Sequence, residues 1–230
     1  MENLILKYLS ERMDKQHDEE KEKGSVITIS REFGCEGYEL AELLINAINK
    51  KNNDKKEHPK WIVLHKDILE EAALELNSKP HIISHIFNAE ERGFLAELIA
   101  SFSGSTHVSD ETIKNAITKI ILGYAEKGHV IIVGRGGCII SRMAPKSLHI
   151  RIVAPFEMRV EIVAKRFNIS PSQAKEKIEE MDKHRSAFLS LFKCALTDNE
   201  LFDITFNRKK FTKHEITDTI IKIIEDKNFI

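Results

Sequence analysis

The run Ser30-Arg31-Glu32-Phe33-Gly34-Cys35-Glu36-Gly37 combines residue types that can hold an anion. It follows the apolar segment Ser25 to Ser30 and precedes an amphipathic segment that begins near Gly37. A loop that joins a buried strand to a helix aims several backbone N–H groups at one point. The helix N-terminus adds partial positive charge there. Gly34 and Gly37 leave the backbone free to bend and leave room for a phosphate to approach. On this reading Ser30, Gly34, Cys35, Glu36, Gly37 and Tyr38 form a phosphate-binding set, and Arg31 brings charge from within the loop. A glycine-bearing turn with no ligand has the same local pattern.

The loop departs from the two best-known phosphate fingerprints. Its glycine spacing is not that of a dinucleotide site. A Walker A loop places Lys and then Ser or Thr after its last glycine, whereas Tyr38 and Glu39 follow Gly37. Cys35 beside a helix N-terminus has a setting that lowers a thiol pKa, but a small loop residue accounts for it equally well.

Further cations stand downstream. Arg135 lies between glycines after the apolar run His129 to Val133, at the carboxyl end of an expected strand, although a surface Arg on an ordinary turn has the same pattern. Arg159, Arg166 and Arg185 fall on two later helical segments. Arg159 and Arg166 are two helical turns apart and share a face, and Asp182 and Arg185 are one turn apart and can pair. A solvated charged helix would also look like this. Arg is suited to phosphate because its planar fork binds two oxygens at once. Asp67, just after an apolar run, is an acidic candidate for the acceptor side, or a helix N-cap. His81 and His85 have the spacing of a zinc pair, but Ile82 stands where the hydrolase motif needs Glu.

Several buried strands must position these groups. Ser25 to Ser30, Trp61 to His65, His129 to Val133, Leu148 to Val153 and Leu201 to Phe206 are short and rich in apolar or β-branched residues. Helical periodicity predicts helices from Gly37, from Asp67 to Leu76, from Pro80 to Phe102, and from Ser109 or Asp110 to Gly128. It also predicts helices over Phe156 to Phe167, from Ser170-Pro171 to about Lys193, and over Ile216 to Ile224. Alternating strands and helices indicate a doubly wound, five-stranded parallel sheet flanked by helices. Ligands in such sheets bind beyond the carboxyl ends of the strands, where these motifs lie.

The chain has 230 residues, 42% of them hydrophobic, and a formal net charge of -1. One large domain over residues 25–230 is expected. A shorter segment, residues 1–24, reads as an amphipathic helix and charged linker that docks on the body or on a second copy of the chain. Near-zero net charge argues against a nucleic-acid coat. The absence of a long apolar run argues against a membrane span or a signal peptide. Three scattered cysteines form no disulfide framework. A cytoplasmic protein is the expectation.

The order of the motifs resembles the cytidylate kinase-like family, a branch of the P-loop nucleoside monophosphate kinases. The likeness runs from Ile27 through Gly37, then Val133-Gly134-Arg135-Gly136-Gly137. It continues at Arg151 to Pro155 with Arg159, at Asp182-Lys183-His184-Arg185, and at Phe202 to Asn207. That resemblance implies a P-loop kinase-like fold with a helical lid at about 156–195 and an acceptor-binding helical region at about 67–106. It implies ATP with Mg²⁺ as phosphoryl donor and CMP, dCMP or a related small phosphorylated acceptor. Arg31, Arg159 and Arg185 would be the catalytic set, Arg135 and Asp67 would bind the acceptor, and Asn207 would border the adenine pocket. The missing Walker lysine leaves a nucleotide-binding protein of weak or no activity as the alternative.

Overall fold

A computed structural model of the chain describes residues 24–53, 59–65, 110–190, 192 and 196–230. Of the amphipathic helix and linker expected over residues 1–24, all but Gly24 lies outside the described residues, as do Asp67 and both helices expected between Asp67 and Phe102.

The strands are β1 (Val26–Arg31), β2 (Ile62–Leu64), β3 (Val130–Val133), β4 (Ser147–Val153) and β5 (Ile204–Asn207). They form one sheet in the order β2-β3-β1-β4-β5, with every neighbouring pair parallel. β1 is central. Its Ile29 is level with Val133 on one side and Ile150 on the other. A strand in that position is covered on both faces, which is why its sequence is nearly continuous in apolar and β-branched residues.

The long helices are α1 (Gly37–Asn53), α2 (Asp110–Lys127), α4 (Phe156–Phe167), α5 (Pro171–Ser190) and α7 (Lys213–Asp226). The short helices α3 (Gly137–Ile140) and α6 (Asp198–Leu201) lie between them. Alternate β1 residues face opposite layers. Ile27 and Ile29 pack with Leu40, Leu44 and Ile48 of α1 and with Ile216, Ile220 and Ile224 of α7. Val26 shares the opposite layer with Ile117 and Ile121 of α2 and Phe188 of α5. Fully burying one such aliphatic side chain contributes roughly 1.5–3 kcal/mol. The parallel pairing of all five strands puts their carboxyl ends along one side of the sheet.

Local signals set most boundaries. Ser170 and Gln173 exchange side-chain and backbone hydrogen bonds ahead of α5. Asn168 closes α4 in the left-handed conformation at φ 53°. β5 begins later than the expected Leu201. Thr197 and Glu200 form a capping box that opens α6, which ends at buried Leu201, so the strand starts only at Ile204. α5 stops at Ser190, short of the expected Lys193, and α3 has no counterpart in the sequence reading. Among the described residues no helix is long and apolar enough to cross a membrane.

One polar pair crosses the sheet. Buried Thr28 of β1 and buried His149 of β4 are level, with Thr28 Oγ1 2.8 Å from His149 Nδ1. Burial holds the His149 pKa below its usual value of 6.5, against the opposing pull of Asp203. The unfolded chain therefore binds this proton more readily than the folded one. The contribution is complete above the unfolded value and is lost as pH falls from there toward the folded value. Urea unfolding at pH 7.5 and 5.5 is expected to show lower stability at pH 5.5. His149→Asn is expected to shrink that difference. An equal difference in the variant would assign the pH dependence to other groups.

Candidate functional site

The parallel register brings the carboxyl ends of β1 and β3 side by side. The chain leaves β1 toward β2, returns to β3, and then crosses β1 to reach β4. That reversal of direction opens a crevice beyond β1 and β3. A cleft of about 170 Å³ lies there. Its walls include Ser30, Arg31, Gly34, Glu36, Gly37 and Tyr38 from the first loop and Gly134 to Gly136 from the second. Arg166, His184 and Arg185 close it from α4 and α5.

The first loop turns sharply. Gly34 has φ 87° and Glu36 has φ 54°. A non-glycine residue in the left-handed region costs about 1–2 kcal/mol, and Glu36 is held there by its side chain. Its carboxylate accepts from Arg208 Nη2 and Lys213 Nζ, each at 2.9 Å. Burial works against ionisation of Glu36, but the hydrogen bonds from Lys213 and Arg208 outweigh it and keep its pKa below the usual carboxylate range. The first i→i−4 bond of α1 runs from Leu40 N–H to the Glu36 carbonyl. The N–H groups of Gly37, Tyr38 and Glu39 precede it and point out of the helix N-terminus, as an anion site needs.

Arg31 extends across the cleft. Its Cγ lies 2.9 Å from where a Gly37 Cβ would stand, and its Nη1 occupies the space a Gly134 Cβ would take. Its Nη2 is 3.4 Å from His65 Nε2. Both glycines thus leave the space this one side chain passes through. Its guanidinium reaches from the first loop to the turn after β3.

That turn holds three successive left-handed residues, Gly134 at φ 75°, Arg135 at 56° and Gly136 at 70°. Backbone strain of this kind gathers where a side chain must be aimed. Arg135 lines the cleft. Burial, and then the nearby charge of Arg185, push the Arg135 guanidinium down to about 9, still charged at neutral pH. An anion between them would relieve both costs.

The expected residues divide. Ser30, Gly34, Glu36, Gly37, Tyr38, Arg31, Arg135 and Arg185 surround one cleft, as does Arg166, whose Nη1 pairs with Glu39 at 2.9 Å. Cys35 lies beneath the loop, 1% exposed. Burial, aided by Glu32, pushes its thiol up to about 12, so the reactive-thiol setting suggested by the helix N-terminus is not realised. Arg159, expected on the phosphates, is absent from the cleft wall. It is buried, pairs with Asp182 at 2.5 Å and donates to the Phe33 carbonyl at 3.3 Å. Asn207 caps its own turn, accepting from Lys209 N–H at 3.0 Å.

The sequence reading missed His65, His184 and the Glu36 partners Arg208 and Lys213. His65 ends a recognisable apolar run, and His184 adjoins Arg185 in a quoted motif, so position alone could have flagged both. Nothing local links Glu36 to Arg208, which is 172 residues away.

The sequence pattern of the cytidylate kinase-like family matches residues 26–210. The chain belongs to the cytidylate kinase-like family. Among solved structures it is similar to an uncharacterized protein from Eubacterium ventriosum, at 22% identity and TM-score 0.63, covering 89% of this chain and 99% of that one. It is also similar to shikimate kinase from Bacteroides thetaiotaomicron, at 11% identity and TM-score 0.47, covering 87% and 98%. Comparison with curated protein sequences gives no match. The family and the five-stranded parallel sheet together make this a nucleotide kinase-like protein with a P-loop kinase fold.

Proposed function

We infer that this family member transfers the γ-phosphate of ATP to CMP, dCMP or a related small phosphorylated acceptor. The observation that carries the reading is the convergence of Arg31, Arg135 and Arg185 on one cleft beside the α1 N-terminus. Phosphoryl transfer asks little covalent chemistry of a protein. It asks that two phosphates be aligned and their charge neutralised.

The cleft fits that demand. The donor phosphates meet the N–H groups at the start of α1. Arg135 takes the acceptor phosphate after β3. Arg31 reaches from one side to the other, in place of the absent lysine, and Arg185 adds charge from α5. An acceptor oxygen attacks the γ-phosphorus, the bond to the bridging oxygen breaks, and ADP leaves with that electron pair. The carboxylates that line the cleft each have a cationic partner: Glu32 with Arg159, Glu36 with Arg208 and Lys213, and Glu39 with Arg166. Mg²⁺, which neutralises phosphate charge in such reactions, would therefore enter held mainly by phosphate oxygens and water. Asp67 remains a candidate group on the acceptor side. In this reading the partners are nucleotides, neither nucleic acid nor membrane is involved, the protein works in the cytoplasm, and a homodimer forms through the N-terminal segment.

A coupled assay with ATP, Mg²⁺ and a panel of monophosphates tests the reaction. Turnover should be highest with CMP or dCMP. A folded protein with no turnover on any acceptor would reject it. Tyr38 and Glu39, where lysine and a metal-binding hydroxyl usually stand, favour a second reading: nucleotide binding without useful transfer. That reading predicts a thermal shift with ATP and no product.

A further inference from the structure

We propose that the α4–α5 helical hairpin is a brace that holds the phosphate loop in its anion-binding shape, with Asp182 as the positioning residue. The proposal rests on the reading of Ser30 to Gly37 as a phosphate site. It deepens that reading by naming what replaces local rigidity in a loop without the usual lysine.

Three successive residues of the loop, Arg31, Glu32 and Phe33, are tied to this hairpin or to the segment that enters it. Arg31 offers its carbonyl to Arg185 Nη1 at 3.3 Å. Glu32 accepts from Ala154 N–H at 3.1 Å, just before α4, and lies 3.7 Å from Arg159 Nε. Phe33 is held at both ends of its backbone. Its N–H donates to Asp182 Oδ1 at 2.9 Å, and its carbonyl accepts from Arg159 Nη1 at 3.3 Å. The other oxygen of Asp182 pairs with Arg159 at 2.5 Å. Asp182 and Arg159 thus close a ring of polar contacts round a single residue, Phe33, and the two peptide units that flank it.

The apolar contacts point the same way. The Phe33 side chain leaves the sheet and enters the hairpin's own core with Val160, Val163, Ala174, Ile178 and Met181. It stacks on Phe167 at 6.3 Å between centroids and lies under the Arg185 guanidinium at 5.2 Å. Gly34 passes so close to α4 that a Cβ there would be 3.2 Å from the Arg159 carbonyl. One large ring from the loop therefore belongs to the packing of α4 and α5. Withdrawing the hairpin from the loop would expose it and break the Asp182 ring together.

The loop and the hairpin accordingly pack as one unit, and their mutual fit helps to set the direction of the loop N–H groups. Preorganised donors bind more tightly because ordering them costs nothing at the moment of binding. Arg159 takes part through Phe33 and Asp182, which explains why it is buried and stands outside the cleft wall.

Amide hydrogen exchange on the ligand-free chain tests the brace without depending on catalysis. Asp182→Ala is expected to speed exchange of the amides of residues 33–37 by about tenfold or more, the scale of one lost charge-assisted hydrogen bond. Exchange at Val130–Val133 should remain slow. Asp182→Asn keeps an oxygen for Phe33 N–H and should restore much of the protection. Phe33→Leu leaves the polar ring in place but loosens the hairpin packing, and it should speed the same amides if Asp182→Ala does not fold. ATP affinity measured on these variants should fall and recover in parallel with protection. Protection of residues 33–37 that stays at the wild-type level in the folded variants would overturn the brace. So would variants that lose protection yet bind ATP as wild type does. A wild-type chain that binds no ATP would reject the nucleotide reading instead, and the exchange pattern alone would still decide whether the hairpin holds the loop.

Discussion

Replacing Arg31 with alanine is expected to lower kcat for phosphoryl transfer by about a thousandfold or more, the lower end of what a phosphate-directed arginine supplies. Arg31 starts at the end of β1, runs over Gly37 and reaches the Gly134 turn. Its side chain spans from the loop assigned to the donor to the turn assigned to the acceptor. No lysine follows Gly37 to share the task. Charge alone should not suffice. Arg31→Lys keeps the charge but loses the planar fork, so it should fall between wild type and alanine. Steady-state kcat and KM for ATP and CMP, with circular dichroism to verify folding, provide the check. A larger effect on kcat than on either KM is expected, because the charge is needed most as the phosphate transfers. Activity of Arg31→Ala within a few-fold of wild type would move the role to Arg135 or Arg185.

Gly34→Val should damage the fold as well as the site. Gly34 has φ 87°, where an L residue with a branched Cβ is strained. A Cβ would also stand 3.1 Å from Val163 Cγ2 and 3.2 Å from both the Arg159 Cβ and its carbonyl oxygen. Left-handed strain of about 1–2 kcal/mol and overpacking of about 1–3 kcal/mol act on the same residue. Together they predict a loss of about 2–5 kcal/mol in urea unfolding. For a chain of this length each kcal/mol lowers Tm by about 2–4 °C. Nucleotide binding should weaken with it, since relieving either clash separates the loop from α4. A variant as stable as wild type would mean that the hairpin yields freely at this contact.

Much of the fold was legible because its causes are local. Ser25 to Ser30 and His129 to Val133 are apolar throughout because both faces of a central parallel strand are covered. α4 was expected over Phe156 to Phe167 and found there, because its apolar periodicity and the following Asn168-Ile169-Ser170-Pro171 turn act within a few residues. β5 was misplaced for a related reason. Leu201 looks like strand when hydrophobicity is read alone, but the Thr197–Glu200 capping box makes it the end of a helical turn.

The site was legible in kind but not in assignment. Residue order alone indicates that a glycine-bearing loop follows a buried strand, that no lysine stands directly after Gly37, and that arginines recur in a family-like order. Where each arginine lies depends on the folded arrangement. Arg135 and Arg185 face the same cleft because parallel register and the α5 packing bring strand ends and helix face together. Arg159 has the same residue type and a helical setting, yet Asp182 and the Phe33 carbonyl claim it. Likewise Glu36 keeps its left-handed turn because Arg208 and Lys213 arrive from the far end of the chain. Such pairings depend on which side chains the folded sheet places within 3 or 4 Å, a distance that has no counterpart in sequence separation.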